Sequence, residues 1–327
     1  MEVEVHIRQI EVGEFRMKFF KKAAIVASSL LCAVSLAACG NSKGSKDSDT
    51  YTPKELTVQF VPSSNATTIE AKAKPLEKLL KKELGIPVKV SVSTDYNTIV
   101  EAMGSKKVDV GFLPPDAYVL AHKQNNAKAI LQAERKQVVG EDEHEGDKNV
   151  DYYRSQILVR KDSGIKNLDD LKGKKIAVQD TTSTAGWIFP AVEMYKHGVN
   201  INKNGIKTAQ VKGHDQGVLS VYNKNTDAAF VFQSARGLVK KDAPDVYDKV
   251  VPIYETKKIP NDTITVRGDM SGKWQKKISM AFKDVAKTKK GHEIISSVYS
   301  HEGYADSKDS NFDIIREYDK TAEKLDK

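Results

Sequence analysis

The sequence predicts an α/β protein of two lobes, each a mainly parallel sheet flanked by helices. Three observations carry that expectation. Short runs of β-type residues alternate with helix-periodic stretches from Leu56 to Val266. The chain has 327 residues, 39% of them hydrophobic, enough for two cores of ordinary size. No flexible linker separates the first strand-helix series from the second, so strands that cross over and back are expected to join the lobes.

Residues 1–16 carry Glu2, Glu4, Glu11 and Glu14 ahead of Met17-Lys18-Phe19-Phe20-Lys21-Lys22, and an apolar, small-residue stretch follows from Ala23 to Ala38. A basic start and a short apolar stretch are the layout of a secretory signal peptide, too short to span a bilayer comfortably. Met17 is therefore the expected start of translation, with 1–16 an extension that is not made and 17–38 the signal peptide. Leu36-Ala37-Ala38-Cys39-Gly40 resembles the bacterial lipobox, in which the Cys is diacylated and becomes the first mature residue. Two acyl chains anchor stably where one is marginal. The polar stretch after Cys39, to residue 53, reads as a tether. Cys32 leaves with the signal and Cys39 is lipidated, so no disulfide is expected in the mature chain.

In the first series, 55–61 reads as a strand, and Pro62-Ser63-Ser64-Asn65 as a turn opening a helix. Leu76, Leu79, Leu80 and Leu84 recur there at helical spacing, Gly85 closes the helix, and Pro75 bends or restarts it. Val88, Val90 and Val92 alternate as a second strand; 95–103 reads as a helix, 108–113 as a strand, 115–123 as a helix and 127–139 as extended. Residues 141–147 (EDEHEGD) form a charged loop. His144 among its carboxylates leaves a metal reading open, but consecutive carboxylates in a loop mostly stay solvated, and no metal is expected.

The second series opens with a strand at 152–160 and continues with strands at 175–178, 206–211, 227–231, 249–254 and 264–267, and a helix at 214–223. From 271 the chain is largely helical, with Trp274, Ile278, Ala281, Phe282 and Val285 on one face. Gln179-Asp180-Thr181-Thr182-Ser183-Thr184-Ala185-Gly186 lies where the 175–178 strand feeds a helix. A helix start leaves backbone N–H groups unpaired at the positive end of its dipole, and hydroxyls and small residues there suit an approaching anion. The same residues also read as an ordinary N-cap at Ser183.

Net charge is +8, from 52 Lys and Arg against 44 Asp and Glu, with both signs interspersed along the chain. With 7% aromatics and no nucleic-acid module, this is a solvated basic surface beside which nucleic acid is not an expected partner.

Seven stretches occur in one order and spacing: 94–103 (TDYNTIVEAM), 107–111 (KVDVG), 153–159 before Lys161-Asp162-Ser163, 167–173 (NLDDLKG), 183–186 with Pro190, Gly213-His214-Asp215, and Ile259-Pro260-Asn261-Asp262. Together they resemble the phosphate/phosphite/phosphonate-binding proteins of ABC importers, the PhnD-like branch of the type II periplasmic-binding-protein fold, over residues 55–300. The resemblance implies lobe I at 54–152 plus 258–327 and lobe II at 153–257, closing on an oxyanion. Carried over by position, the Ser183 and Thr184 hydroxyls and the Thr184 and Ala185 N–H groups would hold phosphoryl oxygens. Tyr96, Tyr153 and His214 would donate from other directions, and Asp262 would accept a proton from the ligand. Plainer readings stand beside these: either Tyr as a wall residue with its hydroxyl in water, His214 starting a helix, Asp262 serving a turn.

One departure bears on the ligand. Where the family's aminoalkylphosphonate receptor has a Glu, this chain has Ser234, and neighbouring Gln233 and Arg236 supply no carboxylate. Small phosphorus oxyanions without a cationic tail are therefore expected over 2-aminoethylphosphonate, with sulfate weakest. The implied protein is a monomeric receptor without cofactor or catalysis, anchored through Cys39 on the extracytoplasmic face of a cell membrane, in the style of a Gram-positive surface. Its implied partners are a small phosphorus oxyanion or phosphonate, a permease and the permease's ATPase. Rival readings are a receptor for another organic anion such as a sulfonate, an adhesin, and a surface hydrolase using Ser183, His214 and an Asp. Against the hydrolase, the chain lacks the G-x-S-x-G nucleophile elbow.

Overall fold

The computed structural model describes residues 50–140 and 142–326; the expected signal peptide, Cys39 and most of the tether lie outside the described residues. The strands are β1 (Leu56–Phe60), β2 (Val88–Val92), β3 (Val110–Leu113), β4 (Lys128–Val139), β5 (His144–Val150), β6 (Tyr152–Tyr153), β7 (Ser155–Arg160), β8 (Lys175–Val178), β9 (Lys207–Gln210), β10 (Ala228–Phe232), β11 (Val250–Glu255), β12 (Ile259–Pro260), β13 (Thr263–Val266) and β14 (Gly303–Asp306). The helices are α1 (Ala66–Ala73), α2 (Leu76–Leu84), α3 (Tyr96–Gly104), α4 (Pro115–Asn125), α5 (Phe189–Lys196), α6 (His214–Tyr222), α7 (Val246–Lys249), α8 (Gly272–Lys287), α9 (Lys289–Tyr299) and α10 (Asp313–Ala322).

One sheet runs in the order β14-β4-β13-β3-β1-β2 with β5 also on β4, and the other β11-β7-β10-β8-β9. The chain passes between them at β6 and β12, which pair antiparallel through Ile259 and Tyr153. The two sheets are mixed where mainly parallel ones were expected, and beside the β4–β5 hairpin and the edge strand β14 one cause is common to both. A strand arriving from the other lobe enters at the end where the parallel strands finish, so it must run against them. Thus β13 is antiparallel to β3 and β4, and β7 to β10 and β11, while β1 stays parallel to β2 and β3, and β8 to β9 and β10. This arrangement brings carboxyl ends of parallel strands, and the starts of the helices after them, to the space between the lobes, the usual place for a ligand in open α/β sheets.

In β10, Ala228 and Phe230 pack on one core of the second lobe while Ala229 and Val231 pack on another. A strand covered on both faces must read as a continuous apolar run. In the first lobe, Leu56, Val58, Phe60, Val88 and Val90 join Leu76, Leu80 and Leu84 of α2 in one core. Pro75 does restart the helix there, α1 ending at Ala73 and α2 beginning at Leu76. Trp274, Ile278, Ala281, Phe282 and Val285 are all buried along α8, as their spacing requires.

Three further segments differ from expectation. The expected strand at 152–160 is broken at Arg154 into β6 and β7. Most of the expected charged loop is strand: β5 pairs with β4 from Val139↔His144 to Arg135↔Val150. At the hairpin's end the buried Glu143 meets the buried Arg236 of the second lobe at 3.2 Å. The C-terminal segment, placed with lobe I by the sequence, makes contacts to both lobes. Tyr118 of α4 donates to Asp309 at 2.7 Å, whereas Tyr318 of α10 stacks on Phe189 of α5 with ring centroids 4.0 Å apart.

Candidate functional site

Between the lobes lies a cleft enclosing about 680 Å³ of empty space, part of it open to solvent, and Tyr96, Tyr153, Ser183, Thr184, Ala185, His214 and Asp262 all line it. The second-lobe wall is built by local chain geometry. After β8, Ser183 caps the following helix by accepting the Gly186 N–H at 3.1 Å. The helix opens with a wide turn in which the Phe189 N–H reaches the Thr184 carbonyl and the Trp187 and Ile188 N–H groups share the Ser183 carbonyl. Such i→i+5 turns are uncommon and gather at functional sites. Here the turn leaves the Thr184 and Ala185 N–H groups without an acceptor among the described residues. Ser155 anchors it from behind, donating to the Ala185 carbonyl at 2.6 Å. Gly186 is required by space: a Cβ would lie 2.7 Å from the Gln179 Cβ and 2.8 Å from the Ser183 Oγ.

The hydroxyls divide their work differently from expectation. Ser183 Oγ accepts from Gly186 and donates to Gln179 Oε1 at 3.0 Å, so it shapes the turn and has no donor free in this arrangement. Thr184, fully buried, accepts the Asp116 N–H from the first lobe at 2.9 Å, which leaves its own proton to give. At the start of α6, His214 Nδ1 accepts the Phe232 N–H at 3.3 Å, so in the neutral ring Nε2 carries the proton. Burial first, and the positive charge of Arg135 second, push the His214 pKa down to about 3. It is a neutral donor.

The first-lobe wall is assembled from distant segments. Tyr96 begins α3, and Tyr153 lies on β6, where the chain passes between the lobes; both are buried, and burial pushes their phenols far above the usual range, so each remains a protonated donor. Asp262 precedes β13, with its carbonyl accepting the Ala133 N–H of β4 at 2.8 Å. That pairing brings in a residue the sequence reading missed. Arg135, two residues along β4, lines the cleft, with Nη2 3.9 Å from Asp262 Oδ2, and His301 Nε2 lies 3.6 Å from the same oxygen. Asp262 thus faces a guanidinium and an imidazole. No sequence signal marks Arg135, because an Arg in a strand among other charges is ordinary until the sheet partner is known.

The departure at Ser234 also looks different in place. Ser234 holds φ +72° and is not among the lining residues, of which Asp262 is the one carboxylate among the described residues. Gln233 donates to Glu255 at 2.8 Å, but Glu255 also meets Arg154 at 3.4 Å and lines a separate cavity that shares Arg135 and Tyr153 with the cleft.

The lobes are hydrogen-bonded directly across the cleft. His214 N–H donates to the Ser63 carbonyl at 2.9 Å, Tyr96 N–H to Asp180 at 3.1 Å, and Thr182 Oγ1 to Asn97 at 3.1 Å. Among the described residues no His, Cys, Asp or Glu cluster is arranged to hold a metal, and no helix is long and apolar enough to cross a membrane.

The chain has relatives among phosphate-import and phosphonates-binding proteins. It is 30% identical over 218 residues to the phosphate-import protein PhnD of Mycolicibacterium smegmatis, an alignment covering 64% of this chain and 65% of that protein, a little under two thirds of its length. To the phosphonates-binding periplasmic protein of Escherichia coli it is 26% identical over 239 residues, covering 72% of this chain and 67% of that one. Among solved structures, a binding-protein component of an ABC phosphonate transporter from Pseudomonas aeruginosa superposes with a TM-score of 0.73 at 19% identity, covering 83% of this chain and 87% of that one. PhnD1 of Prochlorococcus marinus in complex with methylphosphonate gives 0.71 at 19% identity, covering 84% and 100%, and these likenesses establish the two-lobed periplasmic-binding-protein fold. The family described as "ABC transporter, phosphonate, periplasmic substrate-binding protein" matches residues 58–312, most of the chain, and the protein belongs to it.

Proposed function

We propose that this protein is the extracytoplasmic receptor of an ABC importer, that it takes a small phosphorus oxyanion or phosphonate between its lobes, and that lobe closure presents the loaded form to a permease and its ATPase. One observation carries the reading: the unspent Thr184 and Ala185 amides belong to residues lining a cleft in which the donors Thr184, Tyr96, Tyr153, Arg135 and the Nε2–H of His214 outnumber the Asp262 carboxylate. Buried anions need several convergent donors, and neutral donors around fixed amides hold a multiply charged oxyanion without a large excess of positive charge. In this scheme Ser183 acts mainly by capping the turn. The hydrolase reading loses support from His214, whose Nδ1 is taken by a backbone amide where a triad would need a carboxylate. The receptor acts as a monomer held at the membrane through lipidated Cys39.

A melting-temperature and calorimetry panel of phosphate, phosphite, methylphosphonate, 2-aminoethylphosphonate and sulfate tests the reading. At least one phosphorus ligand should raise the melting temperature and bind at a single site; no response to any of them would end the proposal. Incorporation of labelled fatty acid by the wild-type precursor and its loss in Cys39→Ala tests the anchor.

A further inference from the structure

Arg135 is 8% exposed, yet its guanidinium is barely used by the protein. Its Nε donates to Asn261 Oδ1 at 3.1 Å, and its central carbon lies 4.8 Å from the Tyr153 ring centroid. Its nearest carboxylate oxygen, Asp262 Oδ2, is 3.9 Å from Nη2, beyond hydrogen-bond length, so the Nη donors have no hydrogen-bond acceptor among the described residues. A guanidinium carries five donors in a rigid fork, and burying it with most of them unspent is costly unless an anion comes to meet them. The group lines the cleft on the first-lobe wall, whereas the Thr184 and Ala185 amides are on the second. Its field also reaches the far wall, where it helps hold His214 neutral.

We propose that Arg135 is the specificity-determining residue of the cleft: its Nη groups donate to the ligand from the first-lobe side, admitting phosphorus oxyanions with a neutral or acidic substituent and disfavouring those with an ammonium. This rests on the phosphorus-oxyanion reading and sharpens it. An ammonium tail needs an uncompensated carboxylate. Among the described residues Asp262 is the one carboxylate lining the cleft, and its charge is already faced by Arg135. A guanidinium, by contrast, donates in a fork that suits the oxygens of a phosphoryl group.

The test is calorimetry of the full-length chain with methylphosphonate and 2-aminoethylphosphonate. The wild-type protein should prefer methylphosphonate by about tenfold or more. In Arg135→Gln the methylphosphonate affinity should fall by about tenfold to a hundredfold while that for 2-aminoethylphosphonate holds or improves, so that the ratio collapses. Arg135→Lys should keep the discrimination, because the charge remains, but bind methylphosphonate several-fold more weakly, because an ammonium cannot fork. If the Gln variant lost both ligands in equal proportion, Arg135 would be a structural residue and the inference wrong. Should that variant not fold, unchanged methylphosphonate affinity in the Lys variant would overturn the contact equally well. Wild-type protein preferring 2-aminoethylphosphonate would overturn the inference alone; binding neither would overturn the phosphorus reading with it.

Discussion

The two walls of the cleft hold charge by opposite means. The second-lobe wall is neutral: it offers the Thr184 and Ala185 amides, from one stretch running Gln179 to Gly186 whose wide turn Ser183 and Gly186 shape, with the uncharged Nε2–H of His214 beside them. The first-lobe wall is side chain, and its charged pair comes from β4 and the residue before β13, joined by an Arg135–Asn261 hydrogen bond across 126 positions of sequence. Backbone donors are fixed and indifferent to the ligand's substituent, so the second lobe fits the task of holding a tetrahedral anion of any kind. Side-chain charges discriminate, so the first lobe fits the task of choosing among such anions.

The strongest way to break that division is to move the amides while leaving every polar side chain in place. In Gly186→Ala the added methyl would sit 2.7 Å from the Gln179 Cβ and 2.8 Å from the Ser183 Oγ, so the turn itself must shift. Overpacking of this kind costs about 1–3 kcal/mol of stability, which a two-lobed protein survives. Displacing two charge-assisted amide contacts, each worth about 1.5–3 kcal/mol, should lower affinity by about a hundredfold or more for every ligand alike. Calorimetry finding affinity within twofold of wild type would show that the amides do not hold the ligand.

The same contrast explains what could be read from the sequence. The strand, the turn with its small and hydroxyl residues and the helix after it are all local, so the Ser183–Gly186 region was legible as a helix start with anion-binding chemistry. The β10 run and the α8 stripe were legible for the same reason, each being set by periodicity within one element. Arg135 was not, because its meaning comes from the partner strand. The mixed sheets were missed similarly: nothing within β13 or β7 records the direction from which it enters. The Ser183 hydroxyl marks a third kind of limit, since sequence shows that a hydroxyl is present but not that Gln179 and the Gly186 amide already occupy it.

A smaller effect is expected where the walls meet. Gly213 has φ −134°, which any residue can adopt, but a Cβ there would lie 2.3 Å from the Asp215 Oδ1 of its own lobe, and 2.8 Å from the Ser64 Cα and 3.1 Å from its carbonyl carbon on the opposite lobe. The Asp215 carboxylate is the end of a flexible side chain and can turn aside, but the Ser64 backbone cannot, so Gly213→Ala should push the lobes apart at the point where His214 N–H meets the Ser63 carbonyl. A clash of about 1–1.5 kcal/mol felt mainly by the closed form would weaken every ligand by about tenfold and leave the selectivity set by Arg135 in place. Selectivity that changed with affinity held constant would mean that the walls choose and hold jointly, against the division drawn above.

The smallest expected effect is an absence, and it concerns His214. An ordinary imidazole facing an anion gains a proton near pH 6.5 and binds more tightly as the solution is acidified. His214 has its folded pKa pushed down to about 3 from 6.5, by burial first and Arg135 second, and its Nδ1 is committed to the Phe232 N–H. The unfolded chain therefore binds a proton that the folded chain refuses. The resulting stability is fully present above 6.5 and is lost progressively as pH falls from there toward about 3. Affinity should behave differently. The ligand's own titration is shared by any two variants, so the informative quantity is the ratio of wild-type to His214→Gln affinity, the glutamine amide supplying a donor that never titrates. Between about pH 5 and 8 that ratio should be flat, while the wild-type melting temperature falls on acidification more steeply than that of the variant. A ratio that climbed toward acid would mean that His214 binds as a cation, and the second-lobe wall would then owe part of its grip to side-chain charge after all.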